Sequence, residues 1–237
     1  MPLKKAAGNM YPWVTHVHSH LGGECPHGCS YCYVQDIEHR RKSGRYAGPI
    51  RLVEAELKVR YGEGKTIFIE HMGDLFAEAV ASRFIYAILD HCRAWPKNLY
   101  VFQTKNPMRL RQNFLHFIPT YSTVGTTIES NRMYPKIIGN APTPLARAEA
   151  MADIRIVQPD LFLFVTIEPV LDFDLVQLVE LITSCKPAFV NIGADSKRHR
   201  LPEPSGQKIK DLIALLFMRG VEVRKKANLE RLMAEKT

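Results

Sequence analysis

Cys25, Cys29 and Cys32 stand within eight residues, in the run GECPHGCSYCYV, at a Cys-x3-Cys-x2-Cys spacing. Thiolates are soft ligands that favour iron–sulfur clusters or zinc. A ferredoxin-type cluster needs a fourth cysteine close by, and none follows. The two others, Cys92 and Cys185, fall in or at the end of amphipathic segments, where a free thiol usually packs as a small hydrophobe. Three thiolates hold three irons of a [4Fe–4S] cube and leave the fourth iron with an open coordination position, as at a catalytic metal. Two plainer readings stand beside this one: a zinc knuckle with His27 as fourth ligand, and an electron-transfer cluster. Zinc sites usually come as two separated ligand pairs, and His27 lies between two of the cysteines, awkward for closing a tetrahedron.

The elements that must position these cysteines are legible as alternating strand and helix patterns. Short apolar runs predict strands at Trp13–His18, Thr66–His71, Leu99–Thr104, Ser122–Thr127, Leu161–Ile167 and Ala188–Ile192, with a last one at Val221–Arg224. Apolar residues recur every three or four positions in 79–95, 174–184 and 206–219, and Gly220 supplies a helix C-cap. Nearly all-apolar strands between amphipathic helices predict an α/β fold with a parallel sheet. In parallel α/β barrels the chemistry sits at the carboxyl ends of the strands. There the chain turns polar: His71-Met72-Gly73-Asp74, Gln103-Thr104-Lys105-Asn106, Thr126-Thr127-Ile128-Glu129, Thr166-Ile167-Glu168, and Asn191 through Lys197. Turn chemistry alone explains part of this, and Asp74 suits a helix cap. His16, His18 and His20 alternate and so share one strand face, either in a barrel mouth or in structural hydrogen bonds. The run Gly62-Glu63-Gly64-Lys65-Thr66 ends like a P-loop but leads into a strand, so it reads as a turn.

The cysteine run, with Tyr31 just before its last cysteine, resembles the cluster motif of the radical SAM superfamily. That resemblance implies a [4Fe–4S] cluster on Cys25, Cys29 and Cys32 whose open iron chelates S-adenosylmethionine, and an electron that splits the sulfonium to give a 5′-deoxyadenosyl radical. It implies a partial (βα)6 TIM-like barrel with parallel strands, of radical SAM type, over residues 1–237. The cluster loop would span 22–34, and a C-terminal extension would begin at about 220. Gly73-Asp74 resembles the segment that receives the methionine ammonium, with Asp in place of Glu and Met in place of the first Gly. A buried ammonium needs such acceptors. By the same resemblance Glu129, Asn131 and Arg132 would take ribose or carboxylate, Tyr31 would lie near adenine, and Tyr33, Thr104 and Thr127 would complete the cofactor side. Glu168, Lys105, Gln103, Asn191 and Lys197 would face the substrate as catalytic groups. The phrases MGDLF, TKNP, GTTIESN and TIEPVLD, within about 13–197, are similar to small phage-associated radical SAM proteins, some of which hypermodify thymidine in DNA. The implied function is modification or isomerisation of a nucleotide or DNA base, with a flavodoxin- or ferredoxin-type electron donor. The alternatives are a repair lyase like spore photoproduct lyase, a class that usually has a further cysteine near its substrate, and a non-catalytic iron–sulfur or zinc nucleic-acid-binding protein.

Composition agrees with this class. The chain has 237 residues, 46% of them hydrophobic, enough for one packed domain. Five cysteines, three of them clustered, do not make a disulfide framework and suit a reducing compartment. No signal peptide and no membrane-length apolar run is evident, so the expected location is the cytoplasm, of a host cell if the chain is phage-encoded. The net charge of +8 concentrates in His39-Arg40-Arg41-Lys42 with Arg45, Lys197-Arg198-His199-Arg200 and Arg224-Lys225-Lys226. Such runs suit a polyanionic partner, an acidic electron donor, or solubility alone.

Overall fold

In the computed structural model, which describes residues 3–41 and 44–234, one eight-stranded sheet organises the chain. Its elements begin with β1 (Lys4–Lys5), β2 (His16–His18), β3 (Leu21–Gly22), α1 (Tyr33–Arg41) and β4 (Arg51–Leu52). They continue with β5 (Thr66–Ile69), α2 (Ser82–Arg93), β6 (Leu99–Gln103), α3 (Pro107–Arg109), β7 (Ser122–Thr127), α4 (Pro135–Ile138) and α5 (Pro144–Val157). The remainder are β8 (Phe162–Ile167), α6 (Leu175–Ser184), β9 (Phe189–Ile192), α7 (Gly206–Met218), β10 (Glu222–Lys225) and α8 (Glu230–Ala234). The sheet order is β1-β2-β5-β6-β7-β8-β9-β10; β3 and β4 form a separate pair. From β2 to β10 every pairing is parallel, while β1 runs antiparallel to β2. The fold is therefore the expected α/β parallel partial barrel, with β10 adding a seventh parallel strand beyond the six of the core repeat.

Strand alternation divides the core in two. Ile67, Tyr100, Val124, Leu163, Val165 and Val190 pack outward under the helices, whose apolar faces cover them. Val17, Phe68, Val101, Phe164 and Phe189 point the other way, into the barrel interior. That interior is filled from below by the N-terminal segment. Tyr11 stacks on Trp13 at 5.3 Å, and Trp13 meets Phe164 and Phe189 edge-on at 5.6 and 5.5 Å. Gly125 on β7 makes room for Phe164, since a Cβ there would lie 2.2 Å from the ring. Helix ends follow local chemistry: Thr143 and Ser205 cap α5 and α7 with their hydroxyls, and Gly220, at φ 75°, follows the end of α7. No helix among the described residues is long and apolar enough to cross a membrane. Of the first basic run, Lys42 and the side chains of Arg40 and Arg41 lie outside the described residues.

Candidate functional site

The strand register carries the apolar interior into a polar layer within one pleat. Two residues beyond Val101, Gly125, Phe164 and Phe189 come Gln103, Thr127, Thr166 and Asn191. Above them, at the carboxyl ends of the strands, opens a cavity of about 1170 Å³. Tyr11 closes its floor: its hydroxyl bonds Gln103 Oε1 and Thr166 Oγ1, each at 2.7 Å. Gln103 Nε2 donates to Thr127 at 3.0 Å, and Asn191 donates to Thr166 at 3.4 Å.

Cys25, Cys29 and Cys32 all line this cavity and none is bridged to another. Gly28, at φ 61°, turns the loop between the first two cysteines, and the Cys32 N–H donates to the Cys29 carbonyl at 3.1 Å. The segment around α4 backs the loop through Ser30 N to Ile137 O at 2.9 Å and Asn140 N to His27 O at 2.7 Å. Gly139 sits so close behind it that a Cβ would lie 2.1 Å from the His27 carbonyl. Burial pushes the Cys25 thiol up to about 12, with the nearby Asp74 charge adding to it, and burial raises Cys29 as well. A cation held by the three sulfurs removes that penalty.

Asp74 also lines the cavity, but its oxygens are engaged within the protein. Oδ1 accepts from Phe76 N and Thr104 Oγ1 at 3.0 and 2.7 Å; Oδ2 accepts from His27 Nε2 and Lys105 N at 2.8 and 2.7 Å. Burial alone would raise this carboxyl, yet the bonds from His27, Thr104 and Lys105 hold it below its ordinary value. Asp74 thus ties the cysteine loop to the ends of β5 and β6. Gly73, Thr104, Lys105, Tyr31 and Tyr33 stand on the same walls, with the Tyr33 hydroxyl donating to the His71 carbonyl. Lys105 Nζ lies 5.3 Å from the centre of the Tyr31 ring.

Glu129, Asn131, Arg132 and Asn191 are not brought to the cavity surface. Glu129 is 1% exposed, below Tyr31, whose hydroxyl donates to it, and it accepts from Arg147 Nη1 at 2.9 Å. Burial would raise its pKa, but the charges of Arg147 and Lys105 and the Tyr31 hydrogen bond keep it lowered. Asn131 and Arg132 turn to Asp174, with Arg132 also reaching Asp172. Asn191 is part of the floor beneath. On the opposite wall Glu168 accepts from Asn9 at 2.7 Å, Lys226 at 2.5 Å and Asn228 at 2.9 Å, while Lys197 stands exposed on the rim. Sequence reasoning missed Tyr11, Asn9, Arg147 and Asn228. Lys226 it held only as one charge in a basic run.

A family model described as "Protein of unknown function (DUF5131)" matches residues 12–199. No curated protein matches the sequence. Among solved structures, a spore photoproduct lyase variant with bound AdoMet and dinucleoside spore photoproduct aligns with a TM-score of 0.55 and 12% identity, over 87% of this chain and 62% of that one. SuiB of Streptococcus suis, bound to its precursor peptide SuiA, aligns with a TM-score of 0.57 and 10% identity, over 88% of this chain and 48% of SuiB. SuiB bound to S-adenosylmethionine gives 0.51 and 11%, over 88% and 45%. The chain therefore spans about three fifths of the lyase and about half of SuiB. At these identities the likeness establishes the fold: a partial barrel of the radical SAM type.

Proposed function

The chain belongs to the DUF5131 family, and on that premise we propose that it is a radical SAM enzyme that modifies or isomerises a nucleotide or DNA base. One observation carries this reading: three unbridged cysteines share one wall of a large cavity at the carboxyl ends of parallel strands. The donor set suits a cluster better than zinc. His27, the fourth ligand a zinc knuckle would use, lies between two of the cysteines, awkward for closing a tetrahedron with all three. Cys25, Cys29 and Cys32 would hold a [4Fe–4S] cluster with one iron free for S-adenosylmethionine. Such a cluster, once reduced by an external donor, would supply one electron for breaking the sulfonium S–C5′ bond, the chemistry that yields methionine and a 5′-deoxyadenosyl radical.

The chain's own residues prepare the space. Asp74, through His27 and Thr104, fixes the loop that bears the sulfurs. Tyr31 and Lys105 share one wall, the ammonium standing over the ring, so Lys105 would meet a carboxylate and Tyr31 would border the adenine. Glu168, held by Lys226, Asn228 and Asn9, faces the opposite side, where it would orient substrate donors. Exposed Lys197, with Lys4 and Lys5 also lining the cavity, brings positive charge to its rim, which favours a phosphate-bearing substrate. Among the neighbours, the lyase binds a dinucleoside and SuiB a peptide; the basic rim favours the former class here. Neither Cys92 nor Cys185 lines the cavity, which argues for a modifying enzyme over a lyase with a substrate-side cysteine. Free, clustered thiols suit a cytoplasmic setting, and a positively charged chain suits an acidic flavodoxin- or ferredoxin-type donor.

Anaerobic reconstitution with iron and sulfide, then S-adenosylmethionine and dithionite, tests the reading. The expected result is about four irons per chain and release of 5′-deoxyadenosine, with Cys29→Ala losing both. Colourless protein, or a loaded cluster that neither binds nor cleaves S-adenosylmethionine, overturns it. Thymidine-modified DNA, plain DNA and mononucleotides, compared by mass spectrometry, identify the substrate form.

A further inference from the structure

His18 and His20 project from the first parallel strand and its following turn toward α2, away from the cysteine cavity, and there they meet His91. One nitrogen of each ring is tied to an acceptor. His18 Nε2 lies 2.9 Å from Glu56 Oε2, His20 Nδ1 lies 3.0 Å from Glu70 Oε1, and His91 Nε2 lies 2.9 Å from the Val59 carbonyl. Glu70 Oε1 already accepts from the His20 and Leu21 N–H groups, and with it, Glu56 and the Val59 carbonyl as acceptors the ring hydrogens are assigned to the outward nitrogens. The inward nitrogens are left as three lone pairs: His18 Nδ1, His20 Nε2 and His91 Nδ1.

All three converge within 4.8 Å of one another. The only hydrogen directed at them among the described residues is that of Tyr61, whose oxygen lies 2.6 Å from His18 Nδ1 and 3.0 Å from His20 Nε2. Meanwhile His20 Nε2 and His91 Nδ1 face each other at 2.9 Å. Two lone pairs at that distance repel unless a cation lies between them. The His18 and His20 side chains are 7% and 0% exposed, and Tyr61 is 1% exposed, so bulk water does not relieve the pair.

We propose that His18, His20 and His91, completed by the Tyr61 oxygen, form a second metal site, for a divalent ion of the zinc class. A shared proton is the competing cation. One proton bridges two of these atoms at most, whereas a divalent ion takes all three nitrogens and the Tyr61 oxygen that converge here. Nitrogens around a tetrahedral ion with normal zinc bonds sit about 3.3 Å apart, which these rings reach by small side-chain shifts. The outward bonds to Glu56, Glu70 and Val59 match the carboxylate and carbonyl partners that orient ligating histidines. The two carboxylates also offset the ion's charge. Such an ion would join β2, α2 and the loop before β5, next to the segment that enters the cysteine loop. Its duty is structural, and the inference does not rest on the radical SAM reading.

Zinc and iron content measured together on intact, anaerobically purified protein, with X-ray absorption at the zinc edge, provide the test. The expected result is about one zinc per chain with only nitrogen and oxygen neighbours at about 2.0 Å. His91→Gln should lose at least ten-fold in zinc content while keeping its iron. Titration of zinc-free wild-type protein with Co(II) should give the visible bands of a tetrahedral site, so the test holds even where the variant fails to fold. Protein free of zinc that also takes up no Co(II), zinc with sulfur neighbours, or zinc retained in His91→Gln overturns the assignment. Failure of 5′-deoxyadenosine release leaves these readouts intact and counts only against the cluster chemistry.

Discussion

Asp74 fills both carboxylate oxygens with bonds to the cysteine loop, a strand-end hydroxyl and two backbone N–H groups. Replacing it with Ala strands all four donors in a buried place, where breaking such a network costs about 3–5 kcal/mol. Urea unfolding of Asp74→Ala should show that loss, together with reduced iron loading. An unchanged unfolding free energy beside a ten-fold weaker hold on S-adenosylmethionine would instead make Asp74 a cofactor ligand alone. The sequence marks this carboxylate by its position after a strand, but not its partners, which come from 47 residues before it and 30 and 31 after it. Glu129 teaches the same lesson. Its acidic type next to an apolar strand announced a constrained group, while the buried Arg147 that neutralises it lay unremarked inside a helix 18 residues on. The cysteines differ because their spacing is local, and local spacing survives folding unchanged.

Among the elements, the pleat of the strands carries most of the design. Alternation sends one set of side chains under the helices and the other into the barrel, so Gly125 and Phe164 meet as a matched small–large pair. Gly125→Ala should destabilise the fold by about 1–3 kcal/mol through overpacking. Adding Phe164→Leu should recover part of that in thermal or urea unfolding, since the ring is what the new methyl strikes. The six parallel strands and helices α2, α6 and α7 were readable because apolar runs and three-to-four-residue spacing are strong signals, and the β10 position was readable too, whereas α5 was not singled out. Two-residue pairings such as β1 with β2 and β3 with β4 carry no periodicity, so nothing in the sequence announced them. The histidine alternation was visible, but which side of the sheet it faced depended on His91, 71 residues beyond His20.

At the scale of the whole molecule, the N-terminal segment closes the partial barrel. Tyr11 contributes a ring packed against Trp13 and Phe164 and a hydroxyl bonded to two strand ends. Tyr11→Phe should cost about 1–2 kcal/mol and Tyr11→Ala about 3–5 kcal/mol in chemical unfolding. Equal losses in the two variants would mean the ring contributes nothing. Asn9 then reaches across to Glu168 and Ser196, contacts separated by 159 and 187 residues. A floor fastened over such separations closes only once distant parts of the chain have met: Tyr11 and Asn9 find their partners on β6, on and just beyond β8, and past β9, so the chamber is completed by long-range pairing and not by any local turn.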